Sequence, residues 1–237
     1  MATVADPRVE IQTSLEHASN YNRWIADQAR AHVRRRVLDA GCGSGNITNL
    51  LLDREQVVAV DVWDDFVERM EAKFAGAPNV AVHRYDLADP AMVDGLRDYR
   101  LDSAICCNVL EHVEDHRQAL TNIAGCLSPG SPIFLLVPAF MALYGEHDRA
   151  DHHFRRYTKR SLEQTVEPLP IEVEDSYYMN LPGFFAWFLL VRAMRRTLDE
   201  GSIGFYDKVM IPRIRSVEER VRAPFGQTLV ALLRTAA

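Results

Sequence analysis

The sequence has no excess of positive charge: 27 Lys and Arg stand against 33 Asp and Glu, for a formal net charge of −6. A general nucleic-acid binder needs a broad cationic footprint to displace counterions, so no nucleic-acid partner is expected. Long apolar runs are also missing. The longest, "LPGFFAWFLLV" from Leu181 to Val191, is stopped by Arg192, well short of the roughly 20 residues that cross a bilayer. The start, "MATVADPRVEIQTSLEHASN", lacks the apolar centre of a secretory signal, which gives a cytoplasmic expectation. Cysteine is scarce. Cys42, Cys106, Cys107 and Cys126 make no CxxC pair and no metal-finger spacing, and a chain of this size needs no disulfide framework, so all four are expected to be reduced. There is no repeat, low-complexity tract or proline-rich linker, and with 48% hydrophobic residues over 237 positions one domain spanning residues 1–237 is expected.

What is present is a change of period along the chain. Leu15, Ala18, Tyr21, Trp24, Ile25, Ala29 and Val33 recur three or four apart with one adjacent pair, predicting an amphipathic helix within an N-terminal helical cap over about 10–34. Beyond it, "RVLDAG", "QVVAVD", "NVAVHRYD", "LDSAICCN" and "SPIFLLVP" read as short buried strands. Between them "NITNLLLD", "VWDDFVERMEAKFAG", "PAMVDGLRD" and "DHRQALTNIAGCL" read as helices. A helix from about Lys159, a strand in "IEVEDSYYM", a helical insertion over about 181–222 and a last strand in "GQTLVALLR" follow. This alternation predicts an α/β fold, a Rossmann-like, mostly parallel sheet with helices on both faces, whose ligands sit outside the carboxyl ends of the strands.

"LDAGCGSGN" puts Gly41, Gly43 and Gly45 between a strand and a helix, where a missing Cβ lets a ligand lie against backbone amides. Asp61 ends the next strand 20 positions after Gly41, where a carboxylate can accept from both hydroxyls of an adenosine ribose. A dinucleotide fingerprint wants Gly or Ala where Asn46 stands, and an apolar residue where Asp39 stands. Both positions disfavour a nicotinamide-dependent oxidoreductase. An acid at 39 suits a nucleoside that carries a positively charged amino-acid tail instead of phosphate.

"VLDAGCGSG", "VVAVD", "YDLADP" and "NVLEHVEDH", in this order on these elements, resemble the class I S-adenosylmethionine-dependent methyltransferases over most of the chain. The resemblance implies an antiparallel last strand and the cofactor S-adenosyl-L-methionine lying across the sheet edge. It carries Asp39 and Gly41 to the methionine end, Asp61 to the ribose, Asp86 with Leu87 to the adenine, and Asn108 to the strand edge beside the sulfonium. Cys42, Gly43 and Val62 join these as cofactor-binding candidates, and Tyr21 and Trp24 are expected to close over the donor, with a core role for Trp24 as the alternative. Asp86 also reads as the start of a turn before Pro90. "NVLEHVEDH" is similar to segments of quinone-type O-methyltransferases, some of which use a metal, but Asn108 stands where a cation wants a carboxylate. No metal is expected, and Glu111 and His112 are expected to cap the next helix and face the donor, with His112 also a candidate for substrate binding.

The segment "GEHDRADHHFRRYTKRSL", Gly145 to Leu162, concentrates His147, His152, His153, Asp148, Asp151 and five cationic residues after the fifth strand. "NYNRW", "HFRRYTKRSL" and "APFGQTLVALLR" resemble a bacterial subgroup of the same methyltransferases, which implies a natural-product or glycan pathway and departs from the subgroup at His152, where glycine is expected. A hydroxyl acceptor must lose its proton, and histidine titrates in the useful range. Of the three histidines, His153 occupies the matching position of the subgroup, so the resemblance makes it the expected general base or acceptor-orienting group, with His152 beside it as a catalytic candidate. Arg155, Arg156 and Tyr157 are substrate-binding candidates, with pinning of the loop to the sheet as the other reading of Arg156 and Tyr157. Asp148 is expected to pair with Arg155 or Arg156, and Thr158 to cap the following helix. A metal site from His147, Asp151 and His152 or His153 is the lesser alternative.

The expected function is methylation of a small-molecule acceptor, on oxygen rather than nitrogen. N-methylation by positioning alone and a noncatalytic adenosyl-ligand sensor remain the alternatives. Phe184, Phe185, Trp187, Phe188, Leu189 and Leu190 occupy too many faces for a surface helix, so they are expected to roof the acceptor site or form a homo-oligomer interface. Arg192, Arg195 and Arg196 would also suit a helix lying on a membrane surface, although no membrane partner is expected.

Overall fold

The computed structural model describes residues 18–189 and 200–236. In chain order the elements are α1 (Ser19–Arg30), β1 (Arg36–Ala40), β2 (Gln56–Asp61), α2 (Asp64–Phe74), β3 (Val80–Arg84), α3 (Ala91–Leu96), β4 (Ser103–Cys107), α4 (His116–Gly125) and β5 (Pro132–Pro138). They continue as α5 (Glu146–Ala150), α6 (Lys159–Val166), β6 (Ile171–Met179), α7 (Leu181–Ala186), α8 (Glu200–Phe205), α9 (Ile211–Glu218) and β7 (Thr228–Thr235). The seven strands form one sheet in the order β3-β2-β1-β4-β5-β7-β6. β1 to β5 run parallel, and β7 pairs antiparallel with both β5 and β6.

Alternation along β1 shows why the sheet must be covered on both sides. Leu38 and Ala40 enter a core with Val58, Met92, Ile123 and Leu135, while Val37 enters another with Trp24, Ile25, Val57 and Phe134. Parallel strands buried on both faces read as near-continuous apolar runs, as "QVVAV" and "IFLLV" do. The strand order reverses between β1 and β4, so the chain leaving these two strands in opposite senses opens a crevice at their carboxyl ends.

α1 has no side-chain cap of its own. Asp207, buried in the insertion between β6 and β7, supplies one: its Oδ2 accepts from Asn20 N at 3.0 Å and its Oδ1 from Tyr21 N at 2.8 Å. A carboxylate there satisfies first-turn N–H groups and meets the positive end of the helix dipole. Thus the insertion holds the N-terminal helix against the sheet.

The expected helix in "NITNLLLD" shrinks to a 3-10 turn at Thr48–Leu50. β-branched Ile47 and Thr48 are weak helix formers, and the Thr48 hydroxyl is drawn back to Asp39. The described helix begins at Ser19 after Ala18, and residues 1–17, on which the expected start at Leu15 falls, lie outside those described. So do Leu190, Arg192, Arg195 and Arg196, on which the expected greasy helix and its basic end partly fall. Among the described residues no helix is long and apolar enough to cross a membrane.

Candidate functional site

On the donor side, the chain leaving β1 turns through Gly41, Gly43 and Gly45 with φ of 80°, 50° and 75°. A Cβ at Gly41 would lie 2.3 Å from Val109 Cγ2, and one at Gly45 would lie 2.2 Å from Met70 Sδ. The loop is therefore clamped between the turn after β4 and helix α2, and only glycine fits both the space and the backbone. So clamped, Gly41 N and Cys42 N both donate to Val60 O at 2.9 Å. Gly43 N donates to Asp61 Oδ2 at 2.9 Å, and Trp63 N to Asp61 Oδ1 at 3.1 Å. Each Asp61 oxygen keeps further acceptor capacity for a ligand hydroxyl.

Asp39 lies beside it on β1, 4% exposed, accepting from Thr48 Oγ1 at 2.5 Å. Burial pushes its carboxyl up to about 6 against the Thr48 hydrogen bond, and the charge of Asp61 adds to the rise. Burial likewise raises Asp61. Among the described residues no Lys or Arg forms an ion pair with either acid. Two buried carboxylates without a cation fit a ligand that brings positive charge and hydroxyl groups.

The remaining donor candidates divide. Asn108 sits exposed just past β4 at φ 54°, its N–H donating to Leu136 O at 2.8 Å, so it stands at the strand edge as expected. Asp86 is exposed and accepts from Ala88 N at 2.8 Å, which is the turn geometry weighed above; Leu87 is buried, its carbonyl taken by Asn122 Nδ2 at 2.9 Å. Val62 is exposed at the β2 end. Trp24 is a correction: it is 1% exposed within the core under the sheet, not a lid. Tyr21 packs edge-on to it, and its hydroxyl is committed to Thr228 Oγ1 at 2.9 Å.

On the acceptor side, the segment after β5 contains the short helix α5 and then folds against the 3-10 turn Leu110–His112 that follows β4. Phe154 N donates to Glu111 O at 2.8 Å, joining the two segments. His153 is the hub. Its Nδ1 is 3.0 Å from Asp148 Oδ1, and its Nε2 is 3.1 Å from Asp151 Oδ2. Asp148, fully buried, also accepts from Arg156 Nε at 2.6 Å and from Gly145 N at 2.8 Å. Burial alone would raise Asp148, but His153 and Arg156 together bring it down to about 2. Burial would lower His153, yet its hydrogen bonds to Asp148 and Asp151 raise it to about 9.

These contacts overturn the general-base expectation for His153. Both ring nitrogens face carboxylates, Nδ1 toward Asp148 and Nε2 toward Asp151, so neither is turned toward an incoming hydroxyl. His152 is exposed at φ 56°, turned out of the cluster; its left-handed backbone is the conformation that glycine, expected at this position, adopts freely. Arg155 is spent on backbone, with Nη1 donating to Val113 O at 2.5 Å and Nη2 to Glu114 O at 2.8 Å. Arg156 is buried between Asp148 and the Trp187 ring. Tyr157, 2% exposed, places its hydroxyl 2.8 Å from His116 Nδ1. Pinning thus replaces substrate contact for all three. Thr158 caps α6 as expected, accepting from Ser161 N at 3.1 Å.

Glu111 does not cap the next helix; Asp115 does, accepting from Gln118 N at 3.0 Å. Glu111 is instead 1% exposed with Oε2 lacking a hydrogen-bond partner. Burial pushes it up to about 7, while neighbouring His153 opposes the rise. His112 lies half-buried beside it, its ring 4.5 Å from the His153 ring at 85°. Trp187 roofs this side, Nε1 donating to Leu143 O at 3.2 Å and its ring edge-on to His147 at 5.1 Å. Phe185, Phe188 and Leu189 remain exposed. Asp148 was foreseen only as an arginine partner, and its spacing three residues after Gly145 was the available signal that it folds back onto that backbone.

Residues 38–133 match the family model described as "Methyltransferase domain". The chain is 26% identical over 157 residues to a Mycolicibacterium smegmatis protein described as a probable S-adenosylmethionine-dependent methyltransferase, covering 64% of this chain and 58% of that one. It is 28% identical over 128 residues to the O-methyltransferase resE of Aspergillus sclerotiorum, covering 53% and 48%. It spans about half the length of the curated relatives it matches. Among solved structures, the Haloferax volcanii methyltransferase in complex with the Trm112 methyltransferase activator aligns with a TM-score of 0.62 and 17% identity over 99% of both chains, a likeness of fold. The chain is thus similar to methyltransferases over residues 38–133, and its fold is like that of the solved methyltransferase structure.

Proposed function

We propose that this chain transfers a methyl group from S-adenosylmethionine to an oxygen of a small molecule. The observation that carries the reading is the pair of buried acids, Asp39 and Asp61, near the carboxyl ends of adjacent strands over the glycine loop, with no Lys or Arg ion pair among the described residues. Asp61 would take the ribose hydroxyls, Asp39 would stand near the positive amino-acid end, and Asn108 would border the reacting edge. When bound, S-adenosylmethionine supplies an electrophilic methyl group on a sulfonium. The chain's own part is to fix the acceptor in line and to manage its proton.

Oxygen as the acceptor atom is supported by likeness to an O-methyltransferase and by the titratable groups Glu111, His112 and Asp151 gathered beyond β4 and β5. A neutral amine would need none of them. The test is formation of S-adenosylhomocysteine when panels of hydroxylated and amino small molecules are supplied. Turnover with hydroxyl acceptors, lost in Asp61→Ala, is expected. Turnover confined to amines would remove the oxygen assignment, and absence of binding to the donor would remove the whole reading.

A further inference from the structure

We propose that Glu111, His112, His153 and Asp151 form a binding site for one first-row divalent transition-metal ion. One ligand atom each from Glu111, His112 and His153 lies within 4.8 Å of the others. Asp151 Oδ2 is 3.1 Å from His153 Nε2 and 3.9 Å from His112 Nε2. Ligands held at about 2.0–2.2 Å from a common ion stand roughly 3 to 4.3 Å apart, so small side-chain rotations close the set.

Three features point to an ion rather than a packed polar cluster. The Glu111 Oε2 atom is buried without a hydrogen-bond partner, a costly state that a cation would relieve. His153 is oriented as metal-binding imidazoles are: Asp148 Oδ1 takes its Nδ1–H, while Arg156 Nε and Gly145 N fix Asp148 in turn, leaving Nε2 turned toward Asp151 and His112. The two contributing segments are locked in register by the hydrogen bond from Phe154 N to Glu111 O at 2.8 Å. Two imidazoles and two carboxylates suit zinc or manganese, whereas magnesium prefers oxygen alone.

The cluster follows β4 and β5 at the same sheet edge as Asn108. An acceptor oxygen would complete the coordination, and a hydroxyl held there gives its proton to solvent more readily. This last step rests on the methyl-transfer reading, while the ion site does not.

The experiment uses chelator-treated protein without donor, titrated calorimetrically with zinc chloride and with manganese chloride, with bound metal counted by mass spectrometry. One equivalent of at least one ion is expected, bound at least tenfold more weakly by His112→Ala and by Glu111→Gln. His153→Ala can disturb the Asp148–Arg156 pair and the fold, so the half-buried His112 is the decisive variant, with circular dichroism confirming its structure. Uptake of neither ion, or uptake unchanged in His112→Ala and Glu111→Gln, overturns the site. Metal uptake is measured without S-adenosylmethionine, so failure to bind the donor would remove the methyl-transfer reading and leave the ion site standing.

Discussion

The two sides of the crevice handle charge in opposite ways. On the donor side, Asp39 and Asp61 are buried with only hydroxyl and amide donors, so both carboxyls are pushed up. On the acceptor side, Asp148 is equally buried but holds His153 and Arg156, and is pulled down to about 2. The difference lies in their partners: among the described residues the first pair has no Lys or Arg ion pair, whereas Asp148 has His153 and Arg156. By the same measure Arg155, Arg156 and Tyr157 are held by partners within the protein, whereas Glu111 has an unpartnered oxygen.

The largest expected effect breaks the acceptor side. Asp148→Ala strands Arg156 and His153 in the interior, where loss of one partner of a buried pair costs about 3–5 kcal/mol. Thermal unfolding should drop by roughly 6 to 20 °C for a domain of this size. Below the transition, S-adenosylmethionine affinity should be unchanged; an undiminished melting temperature would show that the network is not structural.

On the donor side the handle is pH. Asp39 has a folded-state value of about 6 against an ordinary 3.8. Because the folded value is the higher one, its stabilising contribution is complete below about 4 and is lost as pH rises through about 6, amounting to about 3 kcal/mol. The groups facing it are Asp61 and the thiols Cys42, Cys106 and Cys107, themselves pushed up by burial. A donor carrying positive charge should bind more tightly over the same rise in pH. Asp39→Asn should flatten both profiles, and denaturant melts with calorimetry at pH 4 to 7 read them; a slope that survives the substitution assigns the effect elsewhere.

Gly45→Ala tests the clamp on the loop. With φ 75° and Met70 Sδ 2.2 Å from the new Cβ, a cost of about 1–3 kcal/mol in chemical denaturation is expected. Donor affinity should fall with it, since α2 can relax only by moving the amides that hold Asp61. A neutral result would mean that Met70 simply swings aside.

The smallest effect concerns Tyr157. Tyr157→Phe removes a hydrogen bond to His116, which should cost about 1 kcal/mol of stability and leave kcat/KM within about twofold. A rise in KM alone would return this hydroxyl to the substrate.

How far the sequence foretold this follows from where the interactions lie. β1, β2 and β5 were legible because burial on both faces leaves an unbroken apolar run, and the glycine loop with Asp61 was legible because spacing along two adjacent strands is preserved in space. Trp24 and Tyr21 were harder, since helical periodicity places them on one face without saying whether core or ligand lies opposite. Thr48 misled because its hydroxyl serves Asp39, a partner nine residues back. The His153 network was illegible as a network: Glu111 and His153 meet only when the segments after β4 and β5 are folded together, and no pattern within either segment encodes that meeting. His153 was singled out as the useful histidine, but its two carboxylate partners change what it can do.

The central claim is that the uncompensated acids of the donor side exist to hold S-adenosylmethionine, and calorimetry tests it most directly. The native protein should bind one equivalent of S-adenosylmethionine, and Asp61→Ala should bind it more weakly by about 1.5–3 kcal/mol, a loss of roughly 10- to 150-fold. Equal affinity in the two proteins, or binding of NAD in place of S-adenosylmethionine, would contradict the account.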